Sequence, residues 1–190
     1  MTTAIIYGSV RTDREGIRAA KFIHTQLNER GHRVHLIDPL EMPLPLLDKM
    51  YKEFQPGTAP QTMEMMARQL NEADGFVVVT GEYNHSVPPA LKNLLDHFQK
   101  EYFFKPSGIV AYSAGRFGGV RAAVHLRVIL AELGTPSIPI ILPVPKVGQA
   151  FDTDGNTQDD FLKKSTTRFL DEYEWYLKAM KAQREKGTPY

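Results

Sequence analysis

The chain is expected to fold as an α/β protein, a parallel sheet wound on both faces by helices. Three observations predict this. Short apolar runs alternate with stretches whose apolar residues recur at helical spacing. Polar or glycine-rich turns separate most of those runs from the helix that follows. And 190 residues without a cysteine make one domain of ordinary size, residues 1–190, with no disulfide to staple it.

Ala4-Ile5-Ile6-Tyr7 reads as the first strand, and Gly16 to Arg30 as a helix with Ala20, Ile23 and Leu27 on one face. Gly31 stops that helix, and Arg33 to Ile37 makes the second strand. Residues 38–60 carry Pro39, Pro43, Pro45, Pro56 and Pro60, which calls for an extended surface loop. Met63, Met66, Ala67 and Leu70 give the next helix its inner stripe. Phe76 to Thr80 is the third strand, and Pro89 to about Lys100 a helix burying Leu91, Leu94, Leu95 and Phe98. Gly108 to Tyr112 is the fourth strand, and Gly118 to Leu133 a helix halted by Gly134. Ile138 to Leu142 is the fifth strand, and Pro139, which cannot donate to a ladder, places it at the sheet edge. Leu162, Phe169, Tyr173, Leu177 and Met180 build a last helix, beyond which Lys181 to Tyr190 should fray into a C-terminal tail. Five strands favour a flavodoxin-like three-layer sandwich of order 2-1-3-4-5 over a six-stranded dinucleotide sheet.

The bulk numbers narrow the function classes. Hydrophobic residues at 42% and charged residues at 24% are those of an ordinary globule. Lys+Arg 23 against Asp+Glu 22 leaves +1, so no global field draws nucleic acid or an anionic membrane. No run approaches the roughly 20 apolar residues of a membrane span. The N-terminus enters a strand without a basic leader, and the missing cysteines exclude thiolate nucleophiles and iron–sulfur clusters, so a cytoplasmic location is expected. His32 and His35 stand three apart near a strand with no supporting carboxylate pair, and no metal is expected.

Three turns carry the chemistry. The first is Gly8-Ser9-Val10-Arg11-Thr12-Asp13-Arg14-Glu15-Gly16. Gly8 allows tight backbone, Ser9 and Thr12 offer hydroxyls, Arg11 and Arg14 offer charged forks, and the next helix presents N–H groups: a phosphate cradle. It matches neither a P-loop nor a G-x-G-x-x-G fingerprint. Asp13 and Glu15 oppose an anion, and the two arginines are expected to outweigh them. The second turn, Gly81-Glu82-Tyr83-Asn84-His85-Ser86, opens a helix started by proline at the carboxyl end of a strand, where open α/β sheets place ligands. An aromatic, an amide, a carboxylate and a hydroxyl within five residues suit a flat ring with polar edges, a flavin. Tyr83 would lie along the ring or phosphate arm, Asn84 would bond the ribityl chain or ring edge, and the N–H groups of residues 83–85 would face the ring. The third, Tyr112-Ser113-Ala114-Gly115-Arg116-Phe117-Gly118-Gly119, has three glycines that permit close backbone approach. None of the three is specific alone. Strands one, three and four are neighbours in the expected order, so the turns converge. In the helix after the third turn, Val120, Val124, Val128 and Ala131 form one apolar stripe and Ala123, Leu126, Leu130 and Leu133 another, the mark of a deeply buried helix or a subunit interface.

On these residues the chain resembles the NADPH-dependent FMN reductase family, which includes flavodoxin-like reductases of quinones, azo dyes and chromate. The resemblance rests on Gly8-Ser9-x-Arg11, on Glu82-Tyr83-Asn84-His85-Ser86-x-Pro88-x-x-Leu91-Lys92-Asn93, and on Ser113-Ala114-Gly115-x-x-Gly118-Gly119; the middle motif is the specific one. It implies tightly bound FMN, NADPH or NADH as co-substrate, and a homodimer or homotetramer. It also implies ping-pong hydride transfer through the flavin to a quinone, azo compound, chromate or free flavin, with no catalytic side chain. Carried over residue by residue, Ser9, Arg11, Arg14, Glu15, Gly16 and Ile17 would hold the phosphate, Glu82, Tyr83, Asn84 and His85 the ring, and Ser113, Ala114, Gly115 and Gly118 would flank it. Arg116 and Lys92 are candidates for the 2′-phosphate of NADPH. Two departures stand out: Gly81 replaces the usual proline, and Asp13-Arg14-Glu15 replaces small polar residues. The competing functions are a flavodoxin-type electron carrier, which the near-neutral charge disfavours, and a flavin-dependent stress regulator. A phospho-receiver would need an acidic cluster at strand ends that read Tyr7-Gly8-Ser9 and Thr80-Gly81-Glu82.

Overall fold

A computed structural model describes residues 1–190. Five strands, β1 (Thr2–Tyr7), β2 (Arg33–Ile37), β3 (Gly75–Gly81), β4 (Ser107–Tyr112) and β5 (Ser137–Val144), pair in parallel in the order 2-1-3-4-5. Six helices follow the chain: α1 (Ile17–Glu29), α2 (Gln61–Glu72), α3 (Pro89–Asp96), α4 (Val120–Glu132), α5 (Val147–Ala150) and α6 (Asp160–Arg184). Alternation along the strands splits the core in two. Ile6, Phe76, Val78 and Ile109 face α2, α3 and α4 through Met66, Leu70, Leu91, Leu94 and Leu126. Ile5, Tyr7, Val77 and Val79 face α1 and α6 through Ile23, Leu27, Phe169, Tyr173 and Leu177. The central strand β3 is buried throughout, as a strand covered on both faces must be. These are the three layers that the alternation predicts.

Strand β5 lies at the edge, as Pro139 requires, and Glu172 of α6 accepts the Ile140 N–H at 2.9 Å. Helix α3 ends at Asp96 rather than near Lys100, where a separate 3₁₀ turn, Lys100–Tyr102, begins. Helix α4 starts at Val120, because Gly118 (φ 62°) and Gly119 (φ 75°) are both left-handed and cannot belong to it. The C-terminus corrects the expectation of fraying from Lys181. The helix continues to Arg184, with Lys181 Nζ 3.0 Å from Asp74 Oδ1 and the Arg184 guanidinium donating to the Phe104 and Asp74 carbonyls at 2.9 and 3.2 Å. The Tyr190 ring packs on Phe104 at 4.9 Å. No helix is long and apolar enough to cross a membrane.

At the carboxyl end of the sheet, Tyr7 of β1 sits opposite Val79 of β3, and Gly81 of β3 opposite Tyr112 of β4. The turns that leave these three strands emerge side by side.

Candidate functional site

One cleft of about 160 Å³ opens where those turns meet. Its lining comprises Ser9, Arg11, Asp13, Arg14, Glu15 and Gly16 from the first turn, Gly81, Glu82 and Tyr83 from the second, and Tyr112, Ser113 and Ala114 from the third, with Val147 of α5. The fold thus gathers most of the residues singled out in the sequence. Ile17, Asn84, His85, Gly115 and Gly118 lie outside that lining. Ile17 packs toward the α1/α6 core, and a Cβ on Gly118 would come within 3.0 Å of Pro143.

The first turn starts at Gly8, whose N–H donates to the Val79 carbonyl at 3.1 Å. A Cβ there would meet Leu91 Cβ at 2.9 Å, so glycine is what lets α3 close on the turn. Ser9 is buried, and its hydroxyl accepts the Arg11 N–H at 3.4 Å. Arg14 donates to the Ser9 carbonyl at 3.2 Å, lies over the Tyr7 ring at 5.4 Å and pairs with Asp38 at the end of β2. Asp38 also accepts the Leu40 N–H at 3.0 Å. Arg14 is therefore a brace whose charge Asp38 already matches, which leaves Arg11, in no ion pair, as the turn's one unmatched cation beside the Asp13 and Glu15 carboxylates, and corrects the expectation that two arginines outweigh them. Glu15 packs on α5: a Cβ on Gly148 would lie 2.3 Å from its Oε1. The N–H groups of Ser9, Val10, Thr12, Asp13 and Arg14 find no acceptor within the chain. Free N–H groups, a hydroxyl and an unpaired guanidinium are the donor set of an anion site, and they fit the phosphate of a mononucleotide.

In the second turn Tyr83 and Ser86 exchange two backbone hydrogen bonds, both 2.9 Å. Asn84 (φ 47°) and His85 (φ 66°) between them are both left-handed. That is a two-residue primed hairpin, the geometry that usually demands Asn-Gly. A left-handed histidine stores on the order of 1 kcal/mol of strain, and such strain collects at binding turns. The Asn84 and His85 N–H groups are free at the tip. Glu82 points away from it. Its carboxylate accepts the Arg121 N–H at 3.2 Å and the Arg121 guanidinium at 3.1 Å, and the Ser86 hydroxyl meets His125 Nδ1 at 3.2 Å. The second turn is bolted to the start of α4.

The third turn is fastened to the end of β5 and the start of α5: the Ser113 N–H donates to the Val144 carbonyl at 3.2 Å, and the Val147 N–H to the Ser113 carbonyl at 3.1 Å. Phe117, half exposed, has Arg116 and Arg121 over its ring at 4.9 and 4.6 Å. Lys92 is tied to Asp96, one turn further along α3, whereas Arg116 has no carboxylate partner.

Sequence reasoning passed over Tyr112, Asp38 and Val147 as site residues. The Tyr112 ring lies on Gly16 and Gly81, where added Cβ atoms would come within 2.0 and 3.1 Å of it. Its hydroxyl is 3.3 Å from that of Tyr7, and burial pushes both phenols above their ordinary pKa. The only hint was a glycine and a large aromatic at neighbouring strand ends, with a second glycine at the start of a helix. On the other side of the first turn, Val10, Leu40, Met42, Leu46 and Leu94 line an apolar groove of about 440 Å³.

Known proteins resemble this chain in sequence and in fold. The model of a family described as NADPH-dependent FMN reductase matches residues 1–149. A quinone reductase of Escherichia coli K12 is 45% identical over 78 residues, 39% of this chain and 42% of that protein, so that match spans less than half of the relative's length. An NADPH:quinone oxidoreductase of Arabidopsis thaliana is 30% identical over 177 residues, covering 88% of this chain and 87% of that one. The structure of FerB, a flavoenzyme NAD(P)H:(acceptor) oxidoreductase from Paracoccus denitrificans, has a TM-score of 0.71 at 24% identity over 92% of this chain and 98% of that chain, a likeness of fold.

Proposed function

The chain belongs to the NADPH-dependent FMN reductase family, and on that footing we propose that it reduces small-molecule acceptors with NAD(P)H through bound FMN. Quinones are the first acceptors to consider, with azo compounds, chromate and free flavin in the same class. The observation that carries this reading is the single cleft built by the turns after β1, β3 and β4, with an anion corner at one end and a primed hairpin at the other.

In this reading Ser9, Arg11 and the free N–H groups of the first turn hold the phosphate, with Arg14, Glu15, Gly16 and Ile17 shaping the start of α1 around it. Tyr83 and the Asn84 and His85 N–H groups hold the ring edge, and Ser113, Ala114, Gly115 and Gly118 flank it. Glu82 acts at one remove, by fixing the hairpin to α4. When bound, FMN supplies the two-electron chemistry, and reduced nicotinamide and acceptor take turns at one open face in ping-pong order. This reading assigns no side chain as acid or base: burial holds the Tyr112 phenol above its ordinary pKa, and the Glu82 carboxylate is committed to Arg121. Arg116, the unpaired cation of the third turn, is the better candidate for the 2′-phosphate of NADPH.

The α4 stripe adds an assembly. Val124 and Val128 are 58% and 72% exposed, while Ala123, Leu126 and Leu130 of the opposite stripe are buried. A homodimer or homotetramer would cover that exposed row. A single preparation tests the function. Purified protein should show the absorption bands of oxidised flavin and oxidise NADPH continuously when a quinone is added. Flavin bands without steady turnover would leave an electron carrier or a regulator instead; a colourless protein that stays so in excess FMN removes the whole reading.

A further inference from the structure

We propose that the groove between β5 and the first turns of α6 is a second binding site, which takes a medium-chain carboxylic acid: its hydrocarbon tail lies along the groove and its carboxylate meets Ser165 and Arg168. The site stands independently of the flavin reading, since none of its residues lines the cleft where the three turns meet.

Glu172 of α6 ties the helix to the edge strand through the Ile140 N–H, 2.9 Å away. Toward the start of the helix the two elements leave a groove of about 420 Å³, within the span of about 300–1,000 Å³ usual for small-molecule sites. Leu142 and Val144 of β5, Ala150 of α5, and Phe161 and Leu162 of α6 make its walls apolar. Phe161 is 80% exposed, a large ring left in water beside the groove. An added strand is a poor occupant. Pro139, Pro143 and Pro145 punctuate this edge and lack the N–H groups that a partner strand would pair with. Hydrocarbon needs no such partners, so it fits these walls.

The charge comes from what the chain leaves unused. Three polar side chains line the groove: Asp159, Ser165 and Arg168. Asp159 is spent on capping α6, its carboxylate accepting the Phe161 and Leu162 N–H groups at 2.9 and 3.1 Å. Ser165 and Arg168, three residues apart on one helix face, make no side-chain hydrogen bond or ion pair within the chain. Thr166 and Thr167 each donate to the carbonyl four residues back, at 2.8 and 3.1 Å, whereas the Ser165 hydroxyl has no such acceptor. Glu172, one turn beyond Arg168, is turned to the Ile140 N–H instead. A free hydroxyl beside a free guanidinium is a donor pair for a carboxylate. Charge also sets the direction of the ligand. Its head belongs at Ser165 and Arg168, and its tail runs toward Ala150 and Phe161, because Asp159 at that end repels an anion. The groove backs onto the cleft of the three turns: Val147 of α5 lines the cleft, and Ala150 of the same short helix lines the groove.

The test titrates full-length protein, as purified, with octanoate and with octan-1-ol, which keeps the chain and loses the charge, following the heat of binding. The wild type should bind octanoate at one site and octan-1-ol about fivefold or more weakly. Arg168→Gln should raise the octanoate Kd about tenfold and change that of octan-1-ol by less than about twofold. Phe161→Ser should weaken both ligands by about threefold or more, since it strips apolar wall from the groove. Both residues are exposed, so the variants should fold, and a thermal melt checks this. Absence of octanoate binding, an octanoate Kd unmoved by Arg168→Gln, or an equal loss of both ligands in that variant overturns the proposal. So does a smaller species of Phe161→Ser by analytical ultracentrifugation, because a second copy of the chain would then be what covers the groove.

Discussion

Glu82 holds Arg121 twice, once through its backbone N–H and once through its guanidinium, at 3.2 and 3.1 Å. The first contact places a carboxylate on the positive end of α4, and the second ties the hairpin of the second turn to the same residue. Glu82→Ala should lower stability by about 1–2 kcal/mol, roughly 3–6 °C in Tm for a chain of this size, and should loosen FMN retention without any lost contact to the flavin. Calorimetry and dialysis read the two effects. A variant that melts like the wild type would mean the pair is idle.

Arg11 and Lys92 make opposite predictions about the phosphate. Arg11 lines the cleft with no carboxylate partner, whereas Lys92 already faces Asp96. Arg11→Ala should weaken FMN binding about tenfold or more, the loss of one charge-assisted contact, and Lys92→Ala hardly at all. Equal retention in the two variants removes the phosphate from the first turn.

The left-handed pair in the hairpin gives a test by sign. His85→Gly creates Asn-Gly, the preferred pair for this turn, and should raise the urea midpoint by an amount equivalent to about 0.5–1 kcal/mol. His85→Val should lower it, because a β-branched residue tolerates positive φ poorly. If both move the midpoint in the same direction, strain is not what the position stores.

His32 links stability to pH. It is buried, with its Nδ1 2.9 Å from the Thr3 hydroxyl and its Nε2 3.5 Å from Glu174. Burial, the main cause, lowers its pKa below the usual 6.5; the nearby amino terminus and Arg30 add to that, and Glu174 opposes it. Thr3 also meets the buried Tyr173 hydroxyl, which stays neutral. A group depressed in the folded state gives stability that is present above the unfolded pKa and lost as pH falls through it toward the folded value. Tm should therefore drop on going from pH 7 to about 5, and less so in His32→Gln. Parallel curves would clear His32 of the effect.

Val128 tests the assembly. Because it is largely exposed in one chain, Val128→Glu should leave the monomer's melting little changed while shifting the protein to a smaller species by analytical ultracentrifugation. An unchanged sedimentation coefficient places any interface elsewhere.

What could be read from the sequence was what is local. Alternating runs located all five strands, Pro139 marked the edge, and the three turns met because parallel strands end on one side. What escaped depended on partners far along the chain. Arg14 looked like a free phosphate fork until Asp38, 24 residues on, was found against it. Lys181 and Arg184 looked like a loose tail because their partner, Asp74, lies more than a hundred residues earlier. Tyr112 looked like an ordinary strand residue, since nothing local says that Gly16 and Gly81 will lie beneath it. The α5 turn, four residues long, is too short for any periodicity to announce.

The ring of Tyr112 resting on two bare backbones binds the histories of three positions together. A methyl group gained at 16 would evict the phenol, and a phenol lost at 112 would leave a hollow that a larger neighbour could then invade. A side chain at 16 should be accepted only after the aromatic at 112 has shrunk, whereas at 81, where the approach is 3.1 Å, the ring need give only a little. Growth at 16 ahead of that change passes through a protein whose cleft wall is forced open.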